Sequence, residues 1–365
     1  MSELFEMEIQ SSLKSYRLRI GRHCVQSYLD ATSMVQIIDQ KVASLFPLLM
    51  REGRIEIEAC ESAKTLTTVA DIIEKLRDGG ATRQSRLLAV GGGIIQDVAT
   101  FAASSYMRGI PWTYCPTTLL GMVDSCIGGK SSINVGPYKN IAGNFYPPEE
   151  ILIDTVFYDS LAPAQKIEGL CEAVKICFAG GDDSFSEYLK FMESGGDILT
   201  TPALLAEVIY LVLSTKKKFI EEDEFDQGIR LLLNFGHTFG HALEGGSHYG
   251  LSHGIAVGLG MLAGLLFSEQ EFGVDPTIPR VRQLRSQIRR LLCRVEALNG
   301  QLSTLDVDAT VACFRSDKKH TKDQFSMILL NKKGYLERCF VPRTPEYERK
   351  IEMVFKSLGS ELYEI

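Results

Sequence analysis

The sequence predicts an α/β region over residues 1–161, followed by a mostly α-helical region over residues 162–365. In the first region, short apolar runs typical of buried strands alternate with helix-length segments, a pattern that favours a parallel sheet covered by helices. In the second region, helical periodicity prevails over strand periodicity. With 365 residues, the chain is long enough for two domains of ordinary size.

The composition is that of a globular protein, with 45% apolar and 23% charged residues. A net charge of −7 makes nucleic acid an improbable partner. The nine cysteines are scattered without a C-x-x-C pair, which is typical of reduced thiols in a cytosolic enzyme. The acidic N-terminus has no signal-peptide pattern, and the longest apolar stretch, Ile255–Phe267, is too short to span a membrane. We therefore expect a cytoplasmic protein that binds neither nucleic acid nor a membrane.

The first elements are predicted from alternation and from polar residues at strand ends. Residues 1 to about 30 alternate in a way that suggests strands, and residues 33–39 form a predicted buried strand. Asp39 would lie at the carboxyl end of that strand, where α/β sheets bind ligands, but an Asp there also commonly caps the next helix. The next predicted elements are a strand at Arg54–Ala59, a polar turn at Glu61–Lys64 and a helix at Thr65–Leu76.

A glycine run follows the next predicted strand, Arg86–Val90, and opens a helix. Glycines allow backbone N–H groups to approach an anion, and a helix N-terminus favours negative charge. The run Gly91-Gly92-Gly93 therefore predicts a phosphate-binding loop, although a plain tight turn is the alternative. The G-x-G-x-x-G fingerprint of ordinary dinucleotide-binding folds is absent.

A polar, glycine-rich segment follows the predicted strand Pro111–Cys115 and its end, Pro116-Thr117-Thr118. This segment, MVDSCIGGKSSINVGPYKN, contains two lysines and two asparagines among glycines and apolar residues. Such a composition indicates a pocket for an anionic, hydroxylated ligand rather than a solvated loop. Ile151–Asp154 is the last strand predicted for the first region.

The second region contains several predicted helices. One carries Glu172 and Lys175 one turn apart in an apolar sequence, so that the two either pair with each other or provide a metal carboxylate. Further helices are predicted at Ala203–Lys218 and at Val281–Leu298, the latter with a solvated basic face, and a strand at Phe325–Leu330.

Four of the six histidines lie between residues 237 and 253. His237 and His241 are four residues apart, and a helix would place both on one face. His253 follows a Gly-rich turn and opens another apolar run, so a second helix could return it beside the first. Two imidazoles and a distant carboxylate form a typical open catalytic zinc site, whereas core or surface histidines without a metal are the alternative.

These stretches together resemble 3-dehydroquinate synthase and the wider sugar phosphate cyclase superfamily, from about Asp39 to Lys319. The segments that carry the resemblance are GGGIIQD, YMRG, PTTLLGMVDSCIGGK, KNIAGNFYPP, CEAVK and RLLLNFGHTFGHALE with the later SHG. The resemblance implies a Rossmann-like NAD-binding domain, a helical metal-binding domain and a homodimer.

It also implies roles for individual residues. Zinc or cobalt would be bound by Glu172, His237 and His253. NAD contacts would come from Asp39, Glu61, Lys64, Gly91, Gly92, Gly93, Asp97, Thr117, Thr118, Asp124, Lys139, Phe157 and Ser160. The substrate would be bound by Arg108, Asp124, Lys130, Lys139, Asn140, Lys175, Lys216, Arg230, Asn234, His241, Lys318 and Lys319, with Arg108 reaching into the partner subunit's site. The catalytic set would be His241, Lys175, Lys216, Arg230, Asn234 and Asp226.

The implied reaction belongs to aromatic amino acid biosynthesis. NAD⁺ oxidises a secondary alcohol of 3-deoxy-arabino-heptulosonate 7-phosphate, phosphate is eliminated, the ketone is reduced again, and an aldol step closes the carbocycle 3-dehydroquinate. The alternatives are a cyclase for a neutral heptulose or hexose phosphate, of the valiolone, inosose or gadusol type, and a metal-dependent polyol or glycerol dehydrogenase that releases NADH. A non-catalytic binding protein on the same scaffold is a further class.

Three positions depart from the family pattern. The family usually has Gly where Gln96 stands, Asn where Glu168 stands and Glu where Asp226 stands. Cyclases of neutral sugar phosphates typically alter the carboxylate-binding positions, yet Lys216 and Arg230 are both intact here.

Overall fold

A computed structural model describes residues 4–31, 34–136, 138–194, 197–199 and 204–363. Its strands are β1 (Phe5–Ile9), β2 (Tyr16–Gly21), β3 (Val35–Asp39), β4 (Ile55–Ile57), β5 (Leu87–Gly91), β6 (Trp112–Pro116), β7 (Ile133–Val135), β8 (Tyr138–Ala142), β9 (Glu150–Asp154), β10 (Gln324–Leu330) and β11 (Leu336–Pro342). Its α-helices are α1 (Cys24–Ala31), α2 (Gln40–Leu45), α3 (Leu66–Asp78), α4 (Gly93–Ser105), α5 (Pro163–Ala179), α6 (Asp182–Ser194), α7 (Leu205–Glu222), α8 (His237–Gly246), α9 (His253–Phe272), α10 (Pro279–Leu292), α11 (Leu298–Ser303), α12 (Val307–Arg315) and α13 (Pro345–Tyr363).

The chain divides into two compact units. The first comprises Met1–Ala162 and Ala203–Glu224, and the second comprises Pro163–Pro202 and Phe225–Ile365. The division at 161/162 drawn from the sequence placed the whole helix at 203–218 in the second region. In the structure this helix, α7, belongs to the first unit because it packs on β1, β2 and the turn Gly121–Ser125.

The first unit is built on a seven-stranded sheet with the order β1-β2-β9-β6-β5-β3-β4. In this sheet β1 pairs antiparallel with β2. The neighbouring strands that follow in the sheet order, β2-β9-β6-β5-β3-β4, all pair in parallel. Every residue of β5 and β6 is buried, as expected for strands covered on both faces. The carboxyl ends of β3, β5 and β6, at Asp39, Gly91 and Pro116, therefore share one edge of the sheet, where ligands bind in this architecture.

One prediction for the N-terminal residues was wrong. Residues 24–31 form helix α1, whereas their alternation suggested a strand. The side chain of Asp154, at the end of β9, accepts hydrogen bonds from the backbone N–H groups of His23 (2.8 Å) and Val25 (3.1 Å). This long-range cap satisfies donors at the start of α1, and local alternation cannot reveal it.

The second unit is mostly helical, and with the parallel sheet of the first unit it confirms the predicted fold class. Its central helix is α9, whose side chains are buried along nearly its whole length. Glycines bring α8 and α9 into close contact, since a Cβ added at Gly260 would lie 2.0 Å from the carbonyl oxygen of Gly236. This approach sets the distance between the histidines at the starts of the two helices.

Helix α9 is longer than the apolar stretch recognised in the sequence. Among the described residues it is the one helix long and apolar enough to cross a membrane, but 72% of its apolar window is buried inside the protein. Such burial is typical of the core helix of a folded domain.

The basic helix predicted at Val281–Leu298 ends earlier, at Leu292, and a separate short helix, α11, follows. We expected the basic face of α10 to be solvated, but the structure shows two of its arginines in ion pairs. Arg285 and Arg289 form ion pairs of 2.8 and 3.1 Å with Glu361 of α13. The charges on α10 therefore hold the C-terminal helix in place.

Candidate active site

The glycine run forms the junction between β5 and α4. The carbonyl oxygen of Gly91 accepts hydrogen bonds from the backbone of Thr117 (3.0 Å) and the hydroxyl of Tyr114 (3.2 Å). A Cβ at Gly91 would lie 2.4 Å from Ile95 Cγ1, and a Cβ at Gly92 would lie 3.0 Å from Thr118 Cγ2. Gly92 caps α4 without a side chain, so the first N–H groups of a 13-residue helix are presented by backbone alone. This arrangement suits a phosphate anion.

Asp97 and Lys64 form a mostly buried ion pair beside this loop. Their side chains are 2.7 Å apart and only 16% and 11% exposed, respectively. Asp97 also accepts a hydrogen bond of 2.9 Å from the backbone N–H of Ser132. Burial raises the pKa of Asp97 to about 6, although Lys64 and the Ser132 N–H oppose the shift.

The raised pKa of Asp97 predicts a pH-dependent stability. Below about pH 4 the Asp97 carboxyl is protonated in both the folded and the unfolded protein. Between about pH 4 and 6 it stays protonated only in the folded protein, so the stability that it contributes falls as the pH rises and is lost above about pH 6, where the buried group ionises. The free energy of unfolding of the wild type, relative to Asp97→Asn, should fall by about 1.4 kcal/mol per pH unit over this window. Urea unfolding at several pH values measures this change in the free energy of unfolding. The control is Asp71→Asn, which removes an exposed carboxylate on α3. A difference independent of pH would contradict the prediction.

Of the two roles considered for Asp39, a ligand contact and a helix cap, the structure shows the helix cap. Its carboxylate accepts a hydrogen bond of 3.0 Å from the backbone N–H of Lys41 and caps α2. Because Asp39 also stands at the carboxyl edge of the sheet, capping does not conflict with a ligand contact there.

The segment after β6 forms a short π-helical turn, Gly121–Ser125, that carries Asp124. Lys216, on α7, lies 2.6 Å from the Asp124 carboxylate and also donates to the carbonyl oxygens of Asp124 and Ile127. Lys216 is only 6% exposed. The structure thus joins two candidate residues that are 92 positions apart.

Another group of candidates surrounds the hairpin of β7 and β8. The Glu61 carboxylate accepts a hydrogen bond of 2.8 Å from Asn134 and lies 3.7 Å from Lys139. Asn140 has a positive φ of 54°, and its backbone N–H donates to the Asn134 side chain at 2.9 Å.

The remaining candidates of the first unit lie elsewhere. Arg108 is exposed, with a φ of 67°, at the end of a 3₁₀ turn. The ammonium of Lys130 lies 5.8 Å from the ring centre of Phe145. The ring of Phe157 is buried against Phe46, and the Ser160 hydroxyl donates to the Phe157 carbonyl at 2.8 Å. A ligand contact from Phe157 would therefore involve its backbone.

In the second unit, three helices bring together Glu172, His237 and His253. One ligand atom from each lies within 4.8 Å of the others. The Nε2 atoms of His237 and His253 lie 3.7 and 3.4 Å from Glu172 Oε1, and Glu172 is fully buried. His237 and His253 are the first residues of α8 and α9, so the close contact of these helices places both imidazoles over α5. One carboxylate and two imidazoles fit a catalytic zinc or cobalt ion with an open coordination position.

The structure shows the pairing of Glu172 with Lys175, and this pairing leaves the role of Glu172 as a metal carboxylate open as a proposal. Lys175 Nζ donates to Glu172 Oε2, while Glu172 Oε1 faces the two histidines. Lys175 is 2% exposed, so this ion pair is buried beside the proposed metal ligands.

Glu244 is a residue that the sequence analysis missed. Its carboxylate lies 3.2 Å from Nδ1 of His253, on the opposite side of the ring from Glu172. Burial alone would lower the pKa of His253, but the hydrogen bonds to Glu172 and Glu244 raise it to about 10. In the metal-free protein the imidazole of His253 is therefore protonated, and a metal ion bound there would take the place of that proton. Glu244 could have been found from its spacing, since it lies two helical turns after His237 on the same face of α8.

His237 has a different environment. Burial and the nearby Lys175 ammonium hold the pKa of His237 well below its usual range. The imidazole is therefore neutral, which is the form that binds a metal.

His241 lies beside a second residue missed in the sequence, Asp317. Its Nδ1 atom is 3.9 Å from Asp317 Oδ2, and Lys319 Nζ is 3.5 Å from the same oxygen. Burial would raise the pKa of Asp317, but His241 and Lys319 hold it well below its usual range. The carboxylate therefore stays charged and orients two candidate substrate residues.

The other candidates of this unit lie near the start of α8 or after α12. Arg230 is 4% exposed in a 3₁₀ turn, Ile229–Asn234, and Asn234 donates to the Leu231 carbonyl at 3.2 Å. Asp226 precedes them with a φ of 60°, and Lys318 is exposed.

The extra carboxylate Glu168 lies one turn before Glu172 on α5. Burial raises the pKa of Glu168, while a hydrogen bond with Ser252 and the charge of His253 oppose the shift. A Cβ at Gly254 would lie 2.5 Å from the backbone of Glu168, so α9 begins directly against this residue.

Comparison with known proteins identifies the family. A family model described as 3-dehydroquinate synthase N-terminal matches residues 54–168, and one described as 3-dehydroquinate synthase C-terminal matches residues 169–320. A 3-dehydroquinate synthase from Streptococcus pyogenes is 30% identical over 345 residues, covering 90% of this chain and 93% of that protein. One from Enterococcus faecalis is 36% identical over 291 residues, covering 79% of this chain and 78% of that protein.

A solved structure with the same architecture is a 2-epi-5-epi-valiolone synthase from Streptomyces hygroscopicus subsp. jinggangensis with NAD⁺ and Zn²⁺ bound. It has a TM-score of 0.78 and 25% identity, and the match covers 96% of this chain and 99% of that chain. With both family models matched over residues 54–320 and relatives at least 30% identical along most of its length, the chain belongs to the 3-dehydroquinate synthase family.

Proposed function

We propose that the protein converts 3-deoxy-arabino-heptulosonate 7-phosphate to 3-dehydroquinate with elimination of phosphate, as an NAD- and metal-dependent cyclase. The observation that carries the proposal is the convergence of Glu172, His237 and His253 from three helices, with Lys175 bound to the same carboxylate. The relatives at 30% and 36% identity, both 3-dehydroquinate synthases, support the substrate class.

The donor set of Glu172, His237 and His253 suits zinc or cobalt. Bound there, the metal supplies Lewis-acid stabilisation of negative charge on substrate oxygens. Glu244 orients His253 through Nδ1, which leaves Nε2 directed at Glu172 and at the metal position. The valiolone synthase with Zn²⁺ bound supports this assignment.

The loop Gly91–Gly93 and the residues beside it suit NAD⁺, which when bound supplies an acceptor, and later a donor, of hydride. The backbone N–H groups at the start of α4 would bind its pyrophosphate. Lys64, Asp97, Thr117 and Thr118 stand beside this loop, and Asp39 and Glu61 are the remaining polar candidates.

Each unit, taken by itself, offers cationic side chains that suit a substrate with a phosphate and a carboxylate. Lys216 is held by Asp124, and Arg230 is buried, which suits bidentate binding of a carboxylate. In the second unit, Lys319 and His241 are both oriented by Asp317 and suit phosphate oxygens. The Asp317 carboxylate lies on the Nδ1 side of the His241 ring, so we assign contact with the substrate to Nε2.

We further infer a cytoplasmic homodimer. Arg108 is exposed, which supports its availability for a contact with the partner subunit. The scattered cysteines and the net charge of −7 support the cytoplasm and argue against nucleic acid as a partner.

Turnover measurements test the proposal against its alternatives. The purified protein is given 3-deoxy-arabino-heptulosonate 7-phosphate, sedoheptulose 7-phosphate or a hexose 6-phosphate, with NAD⁺ and Zn²⁺ or Co²⁺, and phosphate release, product mass and NADH absorbance are followed. We expect phosphate release from the acid without net NADH. Faster cyclisation of a neutral sugar phosphate would favour the valiolone or inosose type, and stoichiometric NADH would favour a dehydrogenase.

Arg230→Lys tests the carboxylate clamp. Because a lysine cannot replace the planar fork, the variant should lose about 1–3 kcal/mol of binding and transition-state stabilisation with the acid substrate. The variant should hardly change kcat/KM for a neutral heptulose phosphate, which has no carboxylate. Steady-state kinetics with both substrates measure the effect, and Arg282→Lys, at an exposed position on α10, is the control. Equal losses with both substrates would mean that Arg230 has a structural role instead.

A further inference from the structure

The side chain of Gln96 connects the nucleotide loop to the turn that carries Asp124. Gln96 lies in the first turn of α4 and is 4% exposed. Its Nε2 donates to the Ser125 carbonyl oxygen at 2.7 Å, and its Oε1 accepts from the Ser125 hydroxyl at 2.6 Å. Both ends of the carboxamide are therefore bound to one residue, which fixes the orientation of the amide.

The far side of the same turn is held by Lys216. Ser125 is the last residue of the π-helical turn Gly121–Ser125. The π-helical conformation is rare in proteins overall, and where it occurs it often lies at a functional site. Lys216 binds the carboxylate and carbonyl of Asp124 and the carbonyl of Ile127. Asp124 thus stands between a contact from α4 and a contact from α7.

The first turn of α4 also holds the end of this segment. Asp97, next to Gln96, accepts from the Ser132 N–H at 2.9 Å, and the backbone N–H of Gln96 donates to the Gly92 carbonyl at 3.0 Å. Two consecutive side chains of α4 therefore bind residues 125 and 132. A ligand that orders Gly91–Gly93 and the start of α4 would through these contacts also order the segment that carries Asp124, which Lys216 of α7 binds.

We propose that Gln96 is a positioning residue that makes the binding of NAD⁺ and of the sugar phosphate cooperative. The identity of the two ligands rests on the proposed function. If NAD⁺ orders the α4 turn and Gln96 transmits this order to Asp124 and Lys216, the sugar phosphate binds to a site that has already lost its conformational entropy. By linkage, the sugar phosphate must then tighten NAD⁺ binding by the same factor.

Calorimetric titration tests the coupling. The dissociation constant of NAD⁺ is measured for the zinc-loaded protein with and without a phosphonate analogue of the sugar phosphate that cannot lose phosphate. In the wild type the analogue should tighten NAD⁺ binding at least about fivefold, the lower end of typical couplings. In Gln96→Ala this ratio should fall close to one. Because each variant is compared with itself, a general loss of stability does not change the ratio.

Two further variants make the test specific. Ser125→Ala removes one of the two hydrogen bonds from a partly exposed position and should lower the ratio without a large loss of stability. Thr100→Val is the control, since Thr100 is buried one turn later on α4 and its hydroxyl donates to the Gln96 backbone carbonyl, not to the turn. It should keep the wild-type ratio.

The outcomes separate the coupling from the proposed function. A wild type that binds both ligands, but binds NAD⁺ equally well with and without the analogue, overturns the coupling alone. Retention of the ratio in both Gln96→Ala and Ser125→Ala, or its equal loss in Thr100→Val, also overturns the role of Gln96. A wild type that binds neither ligand overturns the proposed function and the coupling with it.

Discussion

His253→Ala is expected to lose its bound metal and its turnover while the protein remains folded. The imidazole is one of three ligands, and structural zinc sites bind with about 10–16 kcal/mol over four ligands, so one ligand contributes about 2.5–4 kcal/mol. The affinity for the metal should therefore fall by at least about a hundredfold. The His253 side chain is 37% exposed, and its removal creates no closed cavity in the core.

Metal analysis after dialysis, together with thermal unfolding, measures the effect. His248→Asn is a suitable control because His248 is exposed, lies five residues away and has a φ of 50° that Asn tolerates. Full metal occupancy in His253→Ala would refute the ligand assignment. Glu172 is a poorer choice for this test, since its removal would leave the buried ammonium of Lys175 without its partner and destabilise the fold by about 3–5 kcal/mol.

Gly92→Val is expected to weaken NAD⁺ binding by roughly a hundredfold. A Cβ at this position already lies 3.0 Å from Thr118 Cγ2, and valine would add two methyl groups at the residue that caps α4. Loss of two hydrogen bonds to a charged pyrophosphate costs about 3 kcal/mol, or roughly a hundredfold in affinity. The φ of −81° and ψ of −166° at Gly92 are accessible to valine, so the effect does not arise from backbone strain.

Calorimetric titration with NAD⁺ measures this loss, and the far-UV spectrum and melting temperature check the fold. Gly359→Val is the matched control, since a Cβ at Gly359 on α13 meets no atom within 4 Å. Unchanged NAD⁺ affinity in Gly92→Val would place the nucleotide elsewhere on the sheet edge. A large drop in melting temperature would instead assign Gly92 to the packing of Thr118.

Local patterns predicted many elements within a few residues. The strand that ends at Asp39, the strand–glycine–helix junction at residues 87–105 and the helix that carries Glu172 lie where the sequence indicated. These elements are strongly patterned, since the strands are continuously apolar and the junction is marked by three glycines. Residues 24–31, which form helix α1, were wrongly predicted as a strand. The start of this helix depends on Asp154, a residue 129 positions away from Val25 in the chain.

The contacts between candidate residues were less accessible to sequence reasoning. The spacing of His237 and His241 follows from helix geometry, but the approach of His253 to Glu172 depends on the glycine-mediated contact of α8 with α9. Likewise, the basic residues of α10 were expected in solvent, and their acidic partner Glu361 lies at the far end of the chain. Such partners cannot be paired from one sequence because the pairing depends on how the helices pack.

The sequence by itself determined the fold class, the family and the types of residue available for chemistry, because strand and helix periodicity and the spacing of motifs are local properties of the chain. Only the tertiary structure decided that α7 belongs to the first unit, that Glu244 and Asp317 support His253 and His241, and that Gln96 bonds to Ser125. These contacts form when buried polar groups find partners during packing, and many residues of the right type compete for each partner. The distance between two side chains is therefore a property of the packed helices and sheet, and it is absent from the order of the residues.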